Sequence, residues 1–182
     1  TDVSSHTITF AYGDEYFDGS NYLDSGIALF SEDLNHKYFE ITANMSNYLY
    51  LSGQNSNYNN IISSKDESNS SYPGFVLRSG TNSNPFMFSS LNMVRVENLP
   101  IPTNITITRK NDTIYYNGTL INDYSDYTGN FNTTVWFGAG TDASGNPFRY
   151  SKEYLTNMAI KLKYDRTGFT NLVLPTPSKT GY

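Results

Sequence analysis

The chain has 182 residues, a formal net charge of −5 and no cysteine. This length suits one domain with a substantial core, and the lack of cysteine excludes a disulfide framework and a zinc site built on thiolates. The acidic balance argues against nucleic acid as a partner, since no basic stripe is present to displace counterions from phosphates. We expect no membrane insertion, because no apolar run approaches the roughly 20 residues that span a bilayer.

Alternation of apolar and polar residues recurs along the chain and predicts β-strands. The pattern is clean over residues 7–10, and over residues 38–43 it places Phe39, Ile41 and Ala43 on one face. No window of helical length shows an apolar stripe with a 3.6-residue period. Two further strands are predicted over residues 74–78 and 94–97.

The clearest predicted hairpin covers residues 105–120. Its first turn contains Asn111 and Asp112, which tolerate the left-handed backbone that tight hairpin turns require. Asn117 and Gly118 predict a second turn directly after the returning strand. The local pattern therefore predicts a two-stranded hairpin followed by a second turn.

The last predicted strand runs over residues 155–164, with Met158, Ile160 and Leu162 facing inward. Many short strands separated by Gly, Asn, Ser and Pro turns predict an all-β fold, a two-sheet antiparallel β-sandwich of the jelly-roll type. Loops at the ends of such a sandwich often carry binding sites. Three long polar loops are predicted, at residues 53–60, 65–72 and 140–147.

Several segments carry a resemblance to a known family. Residues 17–26 read FDGSNYLDSG, residues 105–118 read ITITRKNDTIYYNG and residues 135–139 read VWFGA. In this order they resemble signature segments of concanavalin A-like modules of the laminin G type. The resemblance covers nearly the whole chain and implies a concanavalin A-like sandwich that binds a glycan or a protein. Further matching segments are residues 61–65, 73–78 and 157–162.

The tail predicts where the protein works. Residues 172–182 resemble the beginning of a small repeat found in Listeria- and Bacteroides-type surface proteins. This resemblance implies a secreted or cell-surface parent protein of a Gram-positive bacterium. We therefore expect the sandwich over residues 1–170, and a linker with the start of a following repeat over residues 171–182.

Catalysis is the less favoured alternative. Relatives of this fold include glycoside hydrolases, and retaining hydrolysis needs two carboxyl groups about 5 Å apart. Residues i and i+2 of a strand have suitable spacing, but no predicted strand carries such a pair. His6 and His36 are not arranged with a nucleophile. We therefore expect no enzymatic activity.

Carboxylates in two predicted loops provide oxygen ligands of the kind that calcium prefers. Asp14 and Asp18 lie in the first loop, and Asp142 lies in the loop at residues 140–147. Some relatives of the resembled modules hold a structural calcium ion in this way. The alternative is that these are solvated turn residues, since no compact ladder of alternating aspartates is present. No cofactor is required for the expected function.

Sugar binding has the most support from the residues. Carbohydrate recognition uses flat aromatic faces together with planar hydrogen-bonding groups. Trp136 is the leading candidate, because it lies on the outward phase of its strand, where packing does not readily explain a lone tryptophan. Packing in the core or on a strand face is the alternative for each aromatic residue. The other candidates are four expected loop aromatics and two arginines: Tyr58, Tyr72, Phe86, Tyr150, Arg78 and Arg149.

These observations favour a non-catalytic carbohydrate-binding or adhesion module that is secreted or displayed at the cell surface. Its expected partner is a glycan or a host surface protein. Protein adhesion is the main alternative, since loops rich in Asn, Ser and Tyr suit adaptable protein contacts. A spacer without a ligand is the second alternative.

Overall fold

The computed structural model describes residues 6–30, 37–54, 57–65, 74–80, 85–90, 95–123, 133–164 and 178–180. Within these ranges the chain forms strands and no α-helix, and so has no helix able to cross a membrane. The strands are β1 (His6–Asp18), β2 (Tyr22–Asp24), β3 (Tyr38–Ser46), β4 (Asn59–Ser63), β5 (Val76–Ser79), β6 (Phe86–Ser89), β7 (Arg95–Leu99), β8 (Asn104–Lys110), β9 (Thr113–Tyr116), β10 (Thr119–Asp123), β11 (Trp136–Phe137), β12 (Gly140–Thr141), β13 (Pro147–Phe148), β14 (Lys152–Tyr164) and β15 (Ser178–Thr180).

Two antiparallel sheets enclose one hydrophobic core. The six-stranded sheet has the order β1-β14-β3-β8-β9-β10, and the seven-stranded sheet has the order β15-β2-β11-β4-β5-β6-β7. A separate two-stranded hairpin consists of β12 and β13. The prediction of an all-β, two-sheet antiparallel sandwich of the jelly-roll type is confirmed.

Strand periodicity determines which side chains enter the core. In β3, Phe39, Ile41 and Ala43 are buried and alternate with half-buried neighbours, as predicted. Aromatic rings then connect the two layers. Phe88 of the seven-stranded sheet stacks on Tyr116 of the six-stranded sheet, with ring centroids 5.1 Å apart. Burial of such large rings compensates for the modest apolar content of the chain.

The predicted hairpin at residues 105–120 and the second turn at Asn117-Gly118 are confirmed. β8 pairs with β9 across a turn in which Asn111 has a φ of 56°. β9 pairs with β10 across Asn117 and Gly118, whose φ values are 47° and 83°. Positive φ at both central residues is the type I′ geometry that Asn-Gly favours, and its twist matches that of the flanking strands.

We expect Gly118→Ala to lower the free energy of unfolding by about 1–2 kcal/mol, the cost of left-handed backbone in a residue with a Cβ. A Cβ at this position meets nothing within 4 Å, so backbone conformation alone sets the effect. Urea unfolding measures it. Gly118→Asn serves as the control and should lower the free energy of unfolding by less, because asparagine tolerates this conformation. Equal stability of the alanine variant and the wild type would contradict the prediction.

Two loops predicted from the sequence need correction. The acidic stretch with Asp14 and Asp18 is not a loop, because β1 continues through it and pairs Asp18 with Lys152 beyond two register shifts. The predicted loop at 140–147 contains the β12–β13 hairpin. β15, which lies in the segment predicted as linker and repeat start, pairs with β2 in the seven-stranded sheet; the predicted division at residue 170 stays a prediction.

The middle of the seven-stranded sheet is covered on both faces, since every residue of β4, β5 and β6 is buried. Leu77 faces the core, whereas Arg78 and its cross-strand partner Met87 face outward. The β12–β13 hairpin lies over this outer face. Its Gly140 approaches Asn60 so closely that a Cβ there would come within 2.3 Å of the amide nitrogen Nδ2.

Candidate functional site

Two arginines and two aromatic residues meet on the outer side of the seven-stranded sheet. The guanidinium carbon of Arg78 lies 4.1 Å from the ring centroid of Tyr58, and that of Arg149 lies 5.0 Å from the same centroid. Arg149 also lies 4.5 Å from the ring centroid of Phe148. We call these four residues the arginine–tyrosine cluster. It unites three of the residues that the sequence singled out for ligand binding.

Three separate segments build this cluster. Tyr58 directly precedes β4, Arg78 lies within β5, and Arg149 follows β13. The last segment is tied to the sheet by the backbone N–H of Asn60, which donates to the carbonyl oxygen of Arg149 at 2.8 Å. Arg149 has a φ of 57°. Such left-handed backbone costs a non-glycine residue about 1–3 kcal/mol and persists only where the surrounding structure holds it.

The two arginines occupy different depths. Arg78 is only 4% exposed, and its Nε donates to the Met87 sulfur at 3.4 Å. Tyr58, Phe148 and Arg149 are half-buried and reach the solvent. A guanidinium that stacks on an aromatic ring keeps its N–H groups in a fixed plane. The cluster therefore presents oriented hydrogen-bond donors at the surface, with a second guanidinium below them.

Trp136 does not stand at the surface as expected. Its side chain is 6% exposed and stacks on Tyr22, with ring centroids 4.3 Å apart and an angle of 12° between the planes. The indole N–H donates to Thr134 Oγ1 at 3.1 Å, and the Thr134 hydroxyl donates in turn to Asp24 Oδ1. Alternation correctly predicted the outward phase, but the expectation that packing does not explain this tryptophan is wrong.

Tyr150 connects the Trp136 stack with the arginine–tyrosine cluster. It follows Arg149 in the chain and is half-buried. Burial raises the pKa of the Tyr150 hydroxyl, and the neighbouring Tyr22 hydroxyl raises this pKa further. Since Tyr22 stacks on Trp136, aromatic and guanidinium groups line this part of the surface.

Two other predicted ligand-binding residues do not join the site. Phe86 lies in β6 rather than in a loop, and its side chain is 2% exposed within the core. It packs against Tyr48, with ring centroids 4.7 Å apart. Its predicted position in a loop is therefore wrong. Tyr72 lies outside the residues that the structure describes.

The three predicted metal-binding aspartates bond to nearby backbone amides. Asp14 Oδ1 accepts a hydrogen bond from the backbone N–H of Asn157 at 2.9 Å. Hydrogen bonds from Ser20 lower the pKa of Asp18, and the backbone N–H of Asn146 does the same for Asp142. Within the described ranges, no three acidic or histidine side chains converge in a manner that could hold a metal ion.

Sequence reasoning missed a set of buried polar side chains on the outer face of the seven-stranded sheet. Asn60 pairs with Arg78, and Ser63 pairs with Trp136 and Val76, so these residues share the outward phase. The side-chain polar atoms of Asn60, Ser63 and Ser89 are buried and make no hydrogen bond within the described part of the chain. Polar residues on the outward phase of β4 are a signal that alternation could have identified.

A buried carboxyl group was also missed. Glu153 lies in β14 opposite Phe17 and faces the core. The Ser151 hydroxyl donates to Glu153 Oε1 at 2.8 Å, whereas Oε2 has no hydrogen-bond partner in the described structure. Burial raises the pKa of Glu153 to about 8, because the charged form loses its hydration. The group is therefore mainly protonated at neutral pH.

Comparison with known proteins finds remote structural similarities. No family model matches the sequence, and a search of curated proteins gives no significant match. Domains LG4-5 of the mouse laminin alpha1 chain are similar with a TM-score of 0.47 and 8% identity, over 98% of this chain and 48% of that one. NanB sialidase from Streptococcus pneumoniae is similar with a TM-score of 0.47 and 9% identity, over 93% of this chain and 28% of that one. Trypanosoma rangeli sialidase is similar with a TM-score of 0.43 and 10% identity, over 75% of this chain and 22% of that one.

The chain thus spans less than half the length of each of these three proteins. The assignment of the fold rests on the strand order and register of the chain itself.

Proposed function

We propose that this chain is a non-catalytic carbohydrate-binding module that acts outside the cell, and that the arginine–tyrosine cluster is its sugar site. The observation that carries the proposal is the placement of two guanidinium groups against one tyrosine ring at a half-exposed surface. An extracellular location agrees with the uncharged polar composition. A Gram-positive origin and a repeat after residue 170 remain predictions from the sequence.

The cluster has the chemistry that a sugar requires. Guanidinium groups donate in a fixed plane to hydroxyl or carboxylate oxygens, and stacking on Tyr58 and Phe148 limits their motion before a ligand arrives. Half-exposed aromatic residues such as Tyr150 add apolar surface for the C–H face of a pyranose ring. Together these features support recognition of a sugar through its oxygen atoms.

The buried polar groups on the outer face of the seven-stranded sheet add support. A buried donor or acceptor without a partner costs about 1–3 kcal/mol. Asn60 and Ser63 carry such groups, and the backbone of Asn60 is bonded to Arg149. An ordered water that bridges these buried groups to a ligand beside Arg149 would relieve part of that cost.

A glycan array with neutral and acidic oligosaccharides tests the proposal, followed by calorimetric titration of the best ligand. We expect Arg149→Lys to weaken binding about tenfold, since lysine keeps the charge but loses the planar fork, and a central arginine contact contributes about 1–2 kcal/mol. Tyr58→Ala should weaken binding at least as much, because both guanidinium groups lose their support.

The matched control is Arg95→Lys. Arg95 lies in β7 of the same sheet and is paired with Glu97 at 2.8 Å, so this substitution should leave affinity unchanged. Equal affinity of Arg149→Lys and the wild type would exclude the cluster as the site. A blank array combined with micromolar binding to a host protein would favour the adhesion alternative, and release of reducing ends from a β-glucan would show an enzyme.

A further inference from the structure

A shallow cleft of about 150 Å³ opens on the outer face of the six-stranded sheet. Lys110 of β8 lies opposite Tyr38 of β3, and Lys161 of β14 lies opposite Glu40 of β3. Lys163 projects from β14 two residues beyond Lys161, on the same face. We call the three lysines with Tyr38 and Glu40 the lysine cleft.

The lysine cleft concentrates positive charge on an acidic protein. Lys161 Nζ lies 3.9 Å from Glu40 Oε1 and is partly compensated. Lys110 Nζ lies 5.8 Å from the ring centroid of Tyr115, and neither Lys110 nor Lys163 contacts a carboxylate in the ranges that the structure describes. The cleft thus has a local excess of two positive charges, whereas the whole chain carries a formal net charge of −5.

The spacing of the lysines favours a ligand with several anionic groups. β14 and β8 flank β3, so the Cα atoms of their lysines lie about 10 Å apart. The Cα atoms of Lys161 and Lys163 lie about 7 Å apart along one strand. A small anion offers a single charged group at one position. A chain that carries an anionic group on successive units can offer one to each ammonium group.

We infer that the lysine cleft is a second binding site, for an acidic polysaccharide that carries carboxylate or sulfate groups along its length. Its hydroxyl groups have partners beside the lysines, since half-buried Tyr38 and Thr108 line the same cleft. The site lies on the opposite sheet from the arginine–tyrosine cluster and does not depend on it.

Retention on immobilised dextran sulfate, compared with uncharged dextran, tests this inference. We expect the wild type to bind only the sulfated polymer, with affinity that falls as salt is raised. Each of Lys110→Gln, Lys161→Gln and Lys163→Gln should weaken binding about two- to fivefold, the range for exposed ion pairs. Glu40→Gln should strengthen it, because a competing carboxylate is removed.

Lys152→Gln is the matched control, since Lys152 starts β14 and lies about 30 Å along the strand from Lys161. It removes the same charge and should leave retention unchanged. Tyr58→Ala should likewise leave it unchanged, which separates this site from the proposed sugar site. The inference is overturned if a variant with all three lysines of the cleft changed to glutamine binds dextran sulfate like the wild type, or if Lys152→Gln weakens binding as much as the cleft variants do. It is also overturned if the three lysines are needed only for binding to vesicles of anionic phospholipid.

Discussion

We expect Glu153→Gln to raise the free energy of unfolding by a few kcal/mol at pH 7 and to remove most of the stability loss between pH 5 and 8. Glu153 is buried in the core, and its pKa is raised from 4.5 to about 8. The folded protein therefore keeps a proton that the unfolded chain releases above about pH 4.5. Each pH unit between the two pKa values costs the folded state about 1.4 kcal/mol.

The direction of the pH dependence follows from the raised pKa of Glu153. The favourable contribution of the neutral carboxyl group is fully present below about pH 4.5 and is lost as the pH rises through the folded pKa of about 8. Glutamine has nearly the same shape and cannot ionise, so the variant and the wild type should have similar stability at pH 4. Urea unfolding at a series of pH values measures the difference.

Glu97→Gln is the matched control for this experiment, because Glu97 is exposed in β7 and paired with Arg95. It should leave the pH dependence of unfolding nearly unchanged. A Glu153→Gln variant with the same slope against pH as the wild type would show that the Glu153 carboxyl group does not retain its proton on folding.

We expect Gly138→Ala to lower the free energy of unfolding by about 3 kcal/mol or more. Gly138 has a φ of 83°, and a Cβ there would lie 2.2 Å from Cδ1 of the Phe17 ring. The left-handed backbone costs about 1–2 kcal/mol, and overpacking of a filled core costs about 1–3 kcal/mol more. The chain cannot easily shift away, since Gly138 donates to the carbonyl of Ile61 and accepts from the N–H of Ser151.

Gly118→Ala is the comparison that isolates the clash. Gly118 has the same φ of 83° but open space around its Cβ position, so the difference between the two variants reports the contact with Phe17. Phe17→Leu combined with Gly138→Ala should be less destabilising than the sum of the single changes, because the smaller side chain makes room. Equal losses for the two glycine variants would show that the core accommodates the added methyl group.

Local patterns predicted the strands well because alternation and turn chemistry act over a few residues. The Asn-Gly turn at residues 117–118 and the alternating faces of β3 are examples. Alternation did not predict that β1 continues to Asp18, since that extension depends on pairing with the distant strand β14. Phe86 was misplaced for a similar reason, because only the neighbouring strands reveal that it enters the core.

The candidate site was predicted in its residue types but not in its assembly. Tyr58, Arg78 and Arg149 were each identified from their chemistry, yet they come from three distant segments, and no local pattern places them together. Trp136 shows that alternation also does not predict burial. The period of a strand predicts which face a side chain occupies, but the cover over that face comes from elsewhere, here from Tyr22.

The position of β14 in the six-stranded sheet has a consequence for the order of folding. β14 lies between β1 and β3 and pairs with both, although it is synthesised more than a hundred residues after them. While the ribosome makes the chain, the thirteen residues of β1 therefore lack their partner strand in the described sheet until residues 152–164 emerge. The β8–β9–β10 meander can form early from contacts close in sequence, whereas closure of this layer is a late, long-range event of the kind that makes β-rich domains fold slowly.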